Sequence, residues 1–215
     1  MAKPFRPSLV LASASPRRRR LLISHGYAIA VAPADIEEIA PKHLSPGEIV
    51  LWNARAKARA IGPREPKAIV VGVDTLVSFE GRIFGKPAHL DEAYEMLRRL
   101  NGTTHEVFSG VWCVQWQRGR EHGFVEVTRV HFHRRSEQEL RTYLNRIGPL
   151  DKAGAYAAQD DRGEMIREIE GSFTNVIGLP MEQLETQLQV FRKRAQQKAT
   201  TRDRTPALGI SGPLA

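Results

Sequence analysis

Hydrophobic and polar positions along the chain follow two periodicities: short apolar runs typical of strands, and wider repeats typical of helices. Strands are predicted at residues 8–12, 27–32, 68–73, 104–117, 121–133 and 163–170. Helices are predicted at residues 16–26, 46–61, 90–100, 136–148 and 180–194. Ser15, Ser45 and Ser136 stand where a helix-capping residue is expected. Strands and helices therefore alternate along most of the chain, and no internal repeat is present.

The stretch at residues 67–87 organises the rest of the sequence. Its apolar run, 68–73, predicts a strand that is buried on both faces and stops at Asp74. A hairpin turn at 80–81 then brings back a second arm that ends at Lys86. Ligands of open α/β sheets gather at the carboxyl ends of strands, so this acid and this lysine suit a phosphate and its metal. Aspartate also commonly caps a turn after a strand, and this stretch alone leaves both interpretations open.

Residues 13–18 combine a strand end, a serine-flanked helix start and two arginines. The free N–H groups at a helix N-terminus can receive phosphate, and guanidinium groups add paired hydrogen bonds to its oxygens. Arg17 and Arg18 lie in the first turn, where contact with a ligand is favoured. Arg19 and Arg20 are expected on a solvated face.

Other candidate segments carry weaker signals. Arg55, Lys57 and Arg59 cannot all share one helix face, and the pattern does not choose among them. The glycine-punctuated segments 151–156 and 171–180 suit either a close approach to a ligand or ordinary turns.

Two histidines and the cysteine could carry chemistry or have purely structural roles. His131 and His133 share one strand face at a spacing that can bind metal, but no third ligand lies nearby in the sequence, which favours a structural role. Cys113 is the one cysteine of the chain, which excludes an internal disulfide and a multi-cysteine zinc site. No activating partner is evident for this thiol, so it is expected to be inert.

The net charge of +8 resembles that of a nucleic-acid-binding protein until it is mapped along the chain. Residues 192–215 carry +5, which leaves only +3 for residues 1–191. This distribution favours a small anionic ligand over a long DNA track. Residues 196–215 lack periodicity and are expected to be a disordered basic tail, after a folded domain at 1–195.

Composition and length predict a soluble protein of one large domain or two lobes. No apolar run approaches the roughly 18 residues that span a bilayer, so no membrane partner is expected. The apolar run at residues 9–12 is too short for a signal peptide, and four arginines follow it. A cytoplasmic location is therefore expected.

Six motifs occur in a distinctive order over residues 8–190: LASASPRR, ARAKARA, VGVDTLV, GKP, DKAGAYAAQ and GSFTNVIGLP. Together they resemble the Maf family of nucleotide pyrophosphatases. The resemblance implies an α/β fold with an elongated mixed sheet, flanking helices and a cleft between two lobes, related to the inosine triphosphate pyrophosphatases. It also implies hydrolysis of a nucleoside triphosphate between its α- and β-phosphates, giving a monophosphate and pyrophosphate, with Mg²⁺ or Mn²⁺ as cofactor.

The resemblance also assigns expected roles to residues that match the motifs. Asp74 matches the catalytic proton acceptor, and Lys57 and Lys86 match the catalytic motif lysines. Glu38 and Asp74 are the expected metal ligands. Substrate binding is expected at Ser13, Ser15, Arg17, Arg18, Thr75, Lys152 and Gln159.

Base preference is implied by three positions. Arg17, Thr75 and Gln159 match the branch of the family that acts on dTTP and UTP, whereas the branch acting on 7-methyl-GTP carries different residues there. A glutamine amide can both donate to and accept from a uracil-type ring edge.

Several departures keep other functions open. Ala157, Ala158 and Asp160 flank the glutamine where the family more usually has Gly-Ile and Gly, and Gly85 precedes the motif lysine as in the other branch. A pyrophosphatase for 7-methyl-GTP or another modified nucleotide is thus one alternative. A regulatory protein that acts in septum formation or on nucleic acid is another, and a homodimer is possible because family members are often dimeric.

Overall fold

A computed structural model describes the backbone of residues 9–202 and the side chains of residues 9–191. The chain forms two compact units, Met1–Met181 and Glu182–Ala215. The described part of the second unit continues helix α6, which runs from Met181 to Arg202. No helix among the described residues is long and apolar enough to cross a membrane.

The first unit is built on a seven-stranded mixed sheet. Its strands are β1 (Leu9–Leu11), β2 (Ile29–Val31), β3 (Ile69–Phe79), β4 (Arg82–Phe84), β5 (Thr104–Gln115), β6 (Arg120–Phe132) and β7 (Ile166–Glu170). The order across the sheet is β2-β1-β3-β5-β6-β7, and β4 pairs with β3 outside this path. β1 pairs in parallel with β2 and β3, whereas the remaining pairs are antiparallel. The expected α/β fold with a mixed sheet is confirmed.

Three helices of the first unit begin directly after the serines predicted to cap them, Ser15, Ser45 and Ser136. The helices of this unit are α1 (Pro16–Ser24), α2 (Pro46–Ile61), α3 (Leu90–Leu100), α4 (Glu137–Ile147) and α5 (Phe173–Ile177). At the start of α2 the Ser45 hydroxyl accepts from the Glu48 backbone, and the Glu48 carboxylate accepts from the Ser45 backbone. A second reciprocal pair, at Ser136 and Glu139, begins α4.

Strand β3 joins two clusters of buried side chains. Val70, in its first half, belongs to a cluster with residues of β1 and α2. Val77, in its second half, belongs to a larger cluster with residues of α3, α4 and β6. Asp74 and Thr75 lie between these clusters, opposite Gly110 and Ser109 of β5. The site residues on β3 therefore occupy the place where one hydrophobic core gives way to the next.

Two glycines let α2 lie close to this part of the sheet. A Cβ on Gly72 would lie 2.1 Å from the backbone oxygen of Ala54, and one on Gly110 would lie 2.3 Å from that of Val50. Only a residue without a side chain fits at such distances. This close approach determines the distance between α2 and the part of β3 that carries Asp74.

The structure corrects three of the sequence-based predictions. The strand predicted to stop at Asp74 continues to Phe79, because residues 75–79 keep pairing with β5 and β4. The segment expected to be a loop contains α5, which Ser172 caps through its hydroxyl. Trp116 lies in a short 3₁₀ turn, so the strand predicted to reach residue 117 ends at Gln115.

The predictions for the two ends of the chain fall partly outside the described residues. Ser8, the first residue of the first predicted strand, lies outside the described residues. Helix α6 continues through residues 196–202, where the sequence predicted a disordered tail after a helix end at Arg194. The rest of that tail, 203–215, also lies outside the described residues.

Candidate active site

Two adjoining cavities of the first unit bring together every predicted site residue. The larger one reaches from the end of β1 across β3 to α2, and contains Ser13, Glu38, Lys57 and Asp74 in its lining. The smaller one is lined by the segment after α4, including Lys152 and Gln159. Six residues line both cavities: Ser15, Arg17, Arg18, Thr75, Lys86 and Asp151.

Lysine and arginine dominate the charge of these linings. Five cationic side chains stand against three carboxylates: Arg17, Arg18, Lys57, Lys86 and Lys152, against Glu38, Asp74 and Asp151. Cationic clefts with low-dielectric walls attract anions and raise their local concentration. The site is therefore suited to a ligand that carries several negative charges.

A buried ion pair lies at the bottom of the larger cavity. The ammonium of Lys57 is 2.7 Å from Oδ1 of Asp74 and 2.8 Å from Oε1 of Glu38. The amide of Asn53 donates to Oδ2 of Asp74 at 3.1 Å, so both oxygens of this carboxylate have a donor. Asp74 is 7% exposed, whereas the Glu38 side chain is about half exposed. Asp74 is thus held rigidly, and Glu38 faces the solvent side of the cavity.

Helix geometry explains how α2 supplies both partners of Asp74. Asn53 and Lys57 are four residues apart, so they share one face of the helix. The amide of Asn53 also donates to the Ile39 backbone oxygen and accepts from the Ile39 backbone nitrogen, both at 3.0 Å. This fixes the segment that carries Glu38 beside the helix.

The structure also selects one cation of the ARAKARA motif. Lys57 is buried against Asp74, whereas Arg55 and Arg59 point to Glu121 of β6. Arg59 makes two hydrogen bonds of 2.9 Å to that carboxylate. The outer arginines therefore connect α2 to the β5–β6 hairpin and take no part in the cavity.

The donors around Asp74 fit a hard divalent cation. Mg²⁺ and Mn²⁺ prefer oxygen ligands, and Mg²⁺ commonly uses one or two carboxylates and completes its shell with water and phosphate. Asp74 and Glu38 both lie within hydrogen-bonding distance of the same ammonium nitrogen, so their oxygens are close neighbours. Each carboxylate oxygen keeps a further lone pair. Among the described residues, no group of three or more His, Cys, Asp or Glu side chains is placed to hold a metal ion, so phosphate and water would have to supply the remaining ligands.

Arg18 is bound mainly to the protein. Its guanidinium donates to the Gly178 backbone oxygen at 2.9 Å, to Ser13 Oγ at 2.9 Å, to the Val73 backbone oxygen at 3.2 Å and to Thr75 Oγ1 at 3.0 Å. Four hydrogen bonds leave one of its five N–H groups for a ligand. Burial lowers the pKa of Arg18 to about 10, against a smaller opposing effect of Asp74, and the group stays cationic at neutral pH. It connects α1 and β3 to the end of α5.

The hydroxyl of Thr75 is engaged in the same network. It receives the hydrogen bond from Arg18, lies 2.8 Å from Ser109 Oγ of β5, and lies 3.3 Å from the Gly178 backbone oxygen. A hydroxyl has one donor and two acceptor positions, and these three partners can occupy all of them. In this arrangement Thr75 positions the Gly178 backbone and presents little beyond its methyl group to a ligand.

Arg17 points the other way, toward the segment after α4. Its guanidinium forms an ion pair with the Asp151 carboxylate and donates to the Asp151 backbone oxygen at 2.9 Å. The Lys152 ammonium contacts the same carboxylate at 2.5 Å and donates to the Gly148 backbone oxygen at 2.8 Å. Adjacent arginines of one motif thus serve different walls of the site.

The last two predicted residues frame the smaller cavity. Lys86 follows β4 and lines both cavities, as the hairpin in the sequence predicted. Gln159 lies in a short 3₁₀ turn, is exposed, and donates to its neighbour Asp160 at 3.0 Å. Gln159 lines this cavity in a wall that also includes the apolar side chains of Val107 and Val176. This wall suits a flat ring with polar edges.

Sequence reasoning missed three residues that the site uses. Asn53 holds Asp74, Ser109 holds Thr75, and Asp151 holds Arg17. The position of Asn53 four residues before Lys57 could have identified it. Ser109 depends on strand register, for which the sequence holds no local signal. Asp151 is the first residue of the DKAGAYAAQ motif, but its contact with Arg17, 134 residues away, cannot be read from the motif.

The remaining candidates have structural surroundings. Nδ1 of His131 lies 2.8 Å from the Thr104 hydroxyl, and His133 belongs to no metal-binding cluster among the described residues. Cys113 is buried, and burial raises the pKa of its thiol to about 12. A thiol in such surroundings is a poor nucleophile.

Comparisons with known proteins match nearly the whole first unit. The profile of the family described as Maf-like protein matches residues 8–191. A dTTP/UTP pyrophosphatase of Bdellovibrio bacteriovorus is 39% identical over 192 residues, covering 87% of this chain and 100% of its own. Proteins of the same name from Moorella thermoacetica and Anaeromyxobacter dehalogenans are 44% and 45% identical, covering 85% and 81% of this chain and 94% and 89% of theirs.

A solved structure, that of a HAM1 protein from Coxiella burnetii, matches with a TM-score of 0.41 and 16% identity, over 60% of this chain and 75% of that one. The fold described above does not depend on this weak likeness. The family profile, the curated relatives and the convergence of six motifs on one cleft agree, and the chain belongs to the Maf family.

Proposed function

We propose that this protein is a nucleoside triphosphate pyrophosphatase that hydrolyses dTTP and UTP to the monophosphate and pyrophosphate. The observation that carries the proposal is the buried carboxylate of Asp74, held by Lys57 and Asn53 at the bottom of a cationic cavity. An anion-binding protein gains nothing from a buried acid there, whereas hydrolysis needs a group that takes a proton from water. Relatives 37–45% identical that bear the name dTTP/UTP pyrophosphatase support the same activity.

The reaction assigned to the site is attack of water at the phosphoanhydride between the α- and β-phosphates. Asp74 accepts the proton of the attacking water, a new P–O bond forms, and the bond to the leaving pyrophosphate breaks. Lys57 holds Asp74 in place and, with Lys86 and Arg17, stabilises the charge that builds on the phosphate oxygens. Positioning and electrostatics supply most of the catalysis in such reactions.

A divalent cation, Mg²⁺ or Mn²⁺, is part of the proposal. Asp74 and Glu38 would hold it together with phosphate oxygens and water. When bound, such a cation neutralises phosphate charge and polarises the bond that breaks. Lys57 contacts both carboxylates and would keep them oriented toward the same point.

The smaller cavity is the proposed site of the base. Val107 and Val176 offer apolar surface, and the Gln159 amide offers one donor and one acceptor to the edge of a pyrimidine. The Arg18 network, comprising Arg18, Thr75, Ser109 and the Gly178 backbone, fixes the wall opposite the loop that carries Gln159.

The test is pyrophosphate release from a panel of nucleotides with Mg²⁺ or Mn²⁺, comparing the wild type with Asp74→Asn. The panel contains dTTP, UTP, CTP, 5-methyl-UTP, GTP and 7-methyl-GTP. Release from dTTP and UTP that falls by at least about a hundredfold in the variant is expected, because a neutral amide cannot take the proton. Asp74-dependent release confined to 7-methyl-GTP would keep the reaction and overturn the base assignment. No release from any nucleotide by folded protein would favour a regulatory binding role.

A cytoplasmic location and the absence of a nucleic-acid partner belong to the same proposal. Five cations line the two adjoining cavities of the first unit, which suits a small anionic nucleotide. A homodimer is compatible with this function, and size-exclusion chromatography with light scattering would test it.

A further inference from the structure

We propose that Asp151 is the acceptor for a sugar hydroxyl of the nucleotide, the 3′-hydroxyl that dTTP and UTP share. The inference rests on the proposed function and adds a sugar subsite to it. Neither the motif resemblance nor the names of the relatives assign Asp151 a role in binding.

The position of Asp151 is the first argument. It is the one carboxylate among the described residues that lines both cavities, since Glu38 and Asp74 line only the larger. The larger cavity holds the proposed phosphate and metal ligands, and the smaller holds the proposed base contacts. In a nucleotide, the sugar connects these two parts. A group common to both linings therefore stands beside the sugar.

The second argument is how the carboxylate is held. Arg17 pairs with Oδ2 of Asp151, and the Lys152 ammonium lies 2.5 Å from Oδ1. The side chain of Asp151 is nevertheless 56% exposed, whereas those of Arg17 and Lys152 are 16% and 10% exposed. The two less exposed cations thus hold the carboxylate, and part of it stays open where it lines both cavities.

Hydrogen-bonding capacity is the third argument. A carboxylate has about four lone-pair positions, and Arg17 and Lys152 occupy one on each oxygen. The free positions can accept hydrogen bonds from a neutral donor. A hydroxyl is such a donor, whereas a phosphate group would be repelled by the carboxylate. A cation-supported carboxylate between the base and phosphate sites therefore favours a sugar hydroxyl as its ligand.

Asp151 is also in the right protonation state for this task. Partial burial by itself raises the pKa of Asp151, but the hydrogen bond from Lys152 and the charge of Arg17 together lower it below its ordinary value. The group is ionised at neutral pH and acts as an acceptor only.

The experiment compares dTTP with its 3′-deoxy analogue, 2′,3′-dideoxythymidine triphosphate, in the wild type and in Asp151→Ala. Each protein is characterised by the ratio of kcat/KM for the two nucleotides. Misplacement of Arg17 or Lys152 in the variant affects both nucleotides alike, so it cancels in the ratio. Asp91→Asn, an exposed aspartate on α3 that lines neither cavity, serves as the matched control.

The wild type and the control are expected to prefer dTTP by about tenfold to a hundredfold, the value of a hydrogen bond to a charged acceptor. Asp151→Ala is expected to reduce this preference to within about threefold. Asp151→Asn retains a neutral acceptor and is expected to give an intermediate ratio, which carries the test if the alanine variant does not fold.

Two results would overturn the inference alone: a wild type that hydrolyses both nucleotides equally well, or a preference that is the same in Asp151→Ala as in the wild type. The second result with a lower KM for both nucleotides would mean that the carboxylate merely competes with phosphate for Arg17. A wild type that releases no pyrophosphate from dTTP would overturn the proposed function and this inference with it.

Discussion

The Lys57 ammonium lies 2.7 Å from Oδ1 of Asp74, and the side chains of both residues are at most 10% exposed. Burying such a pair costs desolvation energy that the mutual attraction often fails to recover. A hydrophobic pair of similar size would be at least as stable, so stability alone does not account for these charges. Their place beside Glu38, at the bottom of a cleft, agrees with the proposed function, in which Asp74 is a fixed proton acceptor and Lys57 its support.

The first prediction concerns this ion pair. Lys57→Met is expected to destabilise the protein by about 3 kcal/mol, because it leaves the Asp74 charge buried beside Asn53 alone. Urea unfolding measures this loss. The double variant Lys57→Met with Asp74→Asn should recover at least about half of it, since a neutral amide needs no cation. Equal stability of the single and double variants would mean that the pair is not coupled in solution.

The second prediction separates the two adjacent arginines. Arg18→Lys is expected to lower the free energy of unfolding by about 2–4 kcal/mol, because an ammonium cannot reach Gly178, Ser13, Val73 and Thr75 together. Arg17→Lys is expected to change it by less than about 1 kcal/mol, because its partner Asp151 is more than half exposed.

Thermal unfolding of both variants at one pH decides the matter. Similar losses in the two variants would contradict the distinction between Arg18, which has four protein acceptors, and Arg17, whose ion pair is exposed. An activity assay on dTTP adds a second readout, and both variants are expected to lose activity for different reasons. Arg18→Lys disturbs the positions of Thr75 and Gly178, which line the smaller cavity. Arg17→Lys weakens the ion pair with Asp151, which lines both cavities.

Much of this site could be predicted because many of its residues lie in short local motifs. The strand, the helix start and the hairpin that deliver Asp74, Arg17 and Lys86 follow from short-range patterns, and the structure brings all three to one cleft. The error at Asp74 has a physical reason. A carboxylate normally ends a buried apolar run. Here Lys57 and Asn53 donate hydrogen bonds to the Asp74 carboxylate, so the strand can continue beyond it. Its second half then contributes Val77 to the larger hydrophobic cluster.

The rest depends on contacts that the sequence does not record. Which of three cations on α2 faces the cleft is decided by Glu121, sixty-two residues beyond Arg59. The role of Thr75 is decided by strand register, which places Ser109 opposite it. Helix α5 is only five residues long, below the length at which a helical repeat can be recognised.

The third prediction concerns the packing of α2 on the sheet. Gly72→Ala is expected to destabilise the protein by at least about 3 kcal/mol and to reduce activity, because its Cβ would lie 2.1 Å from the backbone of α2 and push Lys57 away from Asp74. Gly47→Ala, a change in α2 itself, is the control, because a Cβ on Gly47 would meet only Val125 at 3.7 Å. The control is expected to be neutral or up to about 1 kcal/mol more stable. Equal effects of the two changes on unfolding would refute this account of the glycine.

The fourth prediction is a pH dependence that arises at His105. This residue is 1% exposed, and its Nε2 lies 3.0 Å from the hydroxyl of Tyr156. Tyr156 belongs to the segment that lines the smaller cavity. Burial, with a smaller effect of the His131 charge, lowers the pKa of His105 to about 3. In the unfolded chain a histidine titrates near 6.5.

The sign of the effect follows from these two values. Above about pH 6.5 His105 is neutral in both states and its contribution to stability is fully present. As the pH falls toward 3, only the unfolded chain takes up the proton, so the free energy of unfolding decreases by up to about 1.4 kcal/mol per pH unit. The loss should be visible between about pH 6 and 5, above the range where most carboxylates titrate.

The matched variants isolate this proton. His105→Gln, measured by urea unfolding at several pH values, is expected to have a slope between about pH 6 and 5 that is shallower than the wild type by close to one proton. His122→Gln, the same change at an exposed histidine of the β5–β6 hairpin, is the control for the substitution itself. If the slope of His105→Gln equals that of the wild type, the histidine is not held neutral. The contact between His105 and Tyr156 would then contribute no acid sensitivity to the segment that lines the smaller cavity.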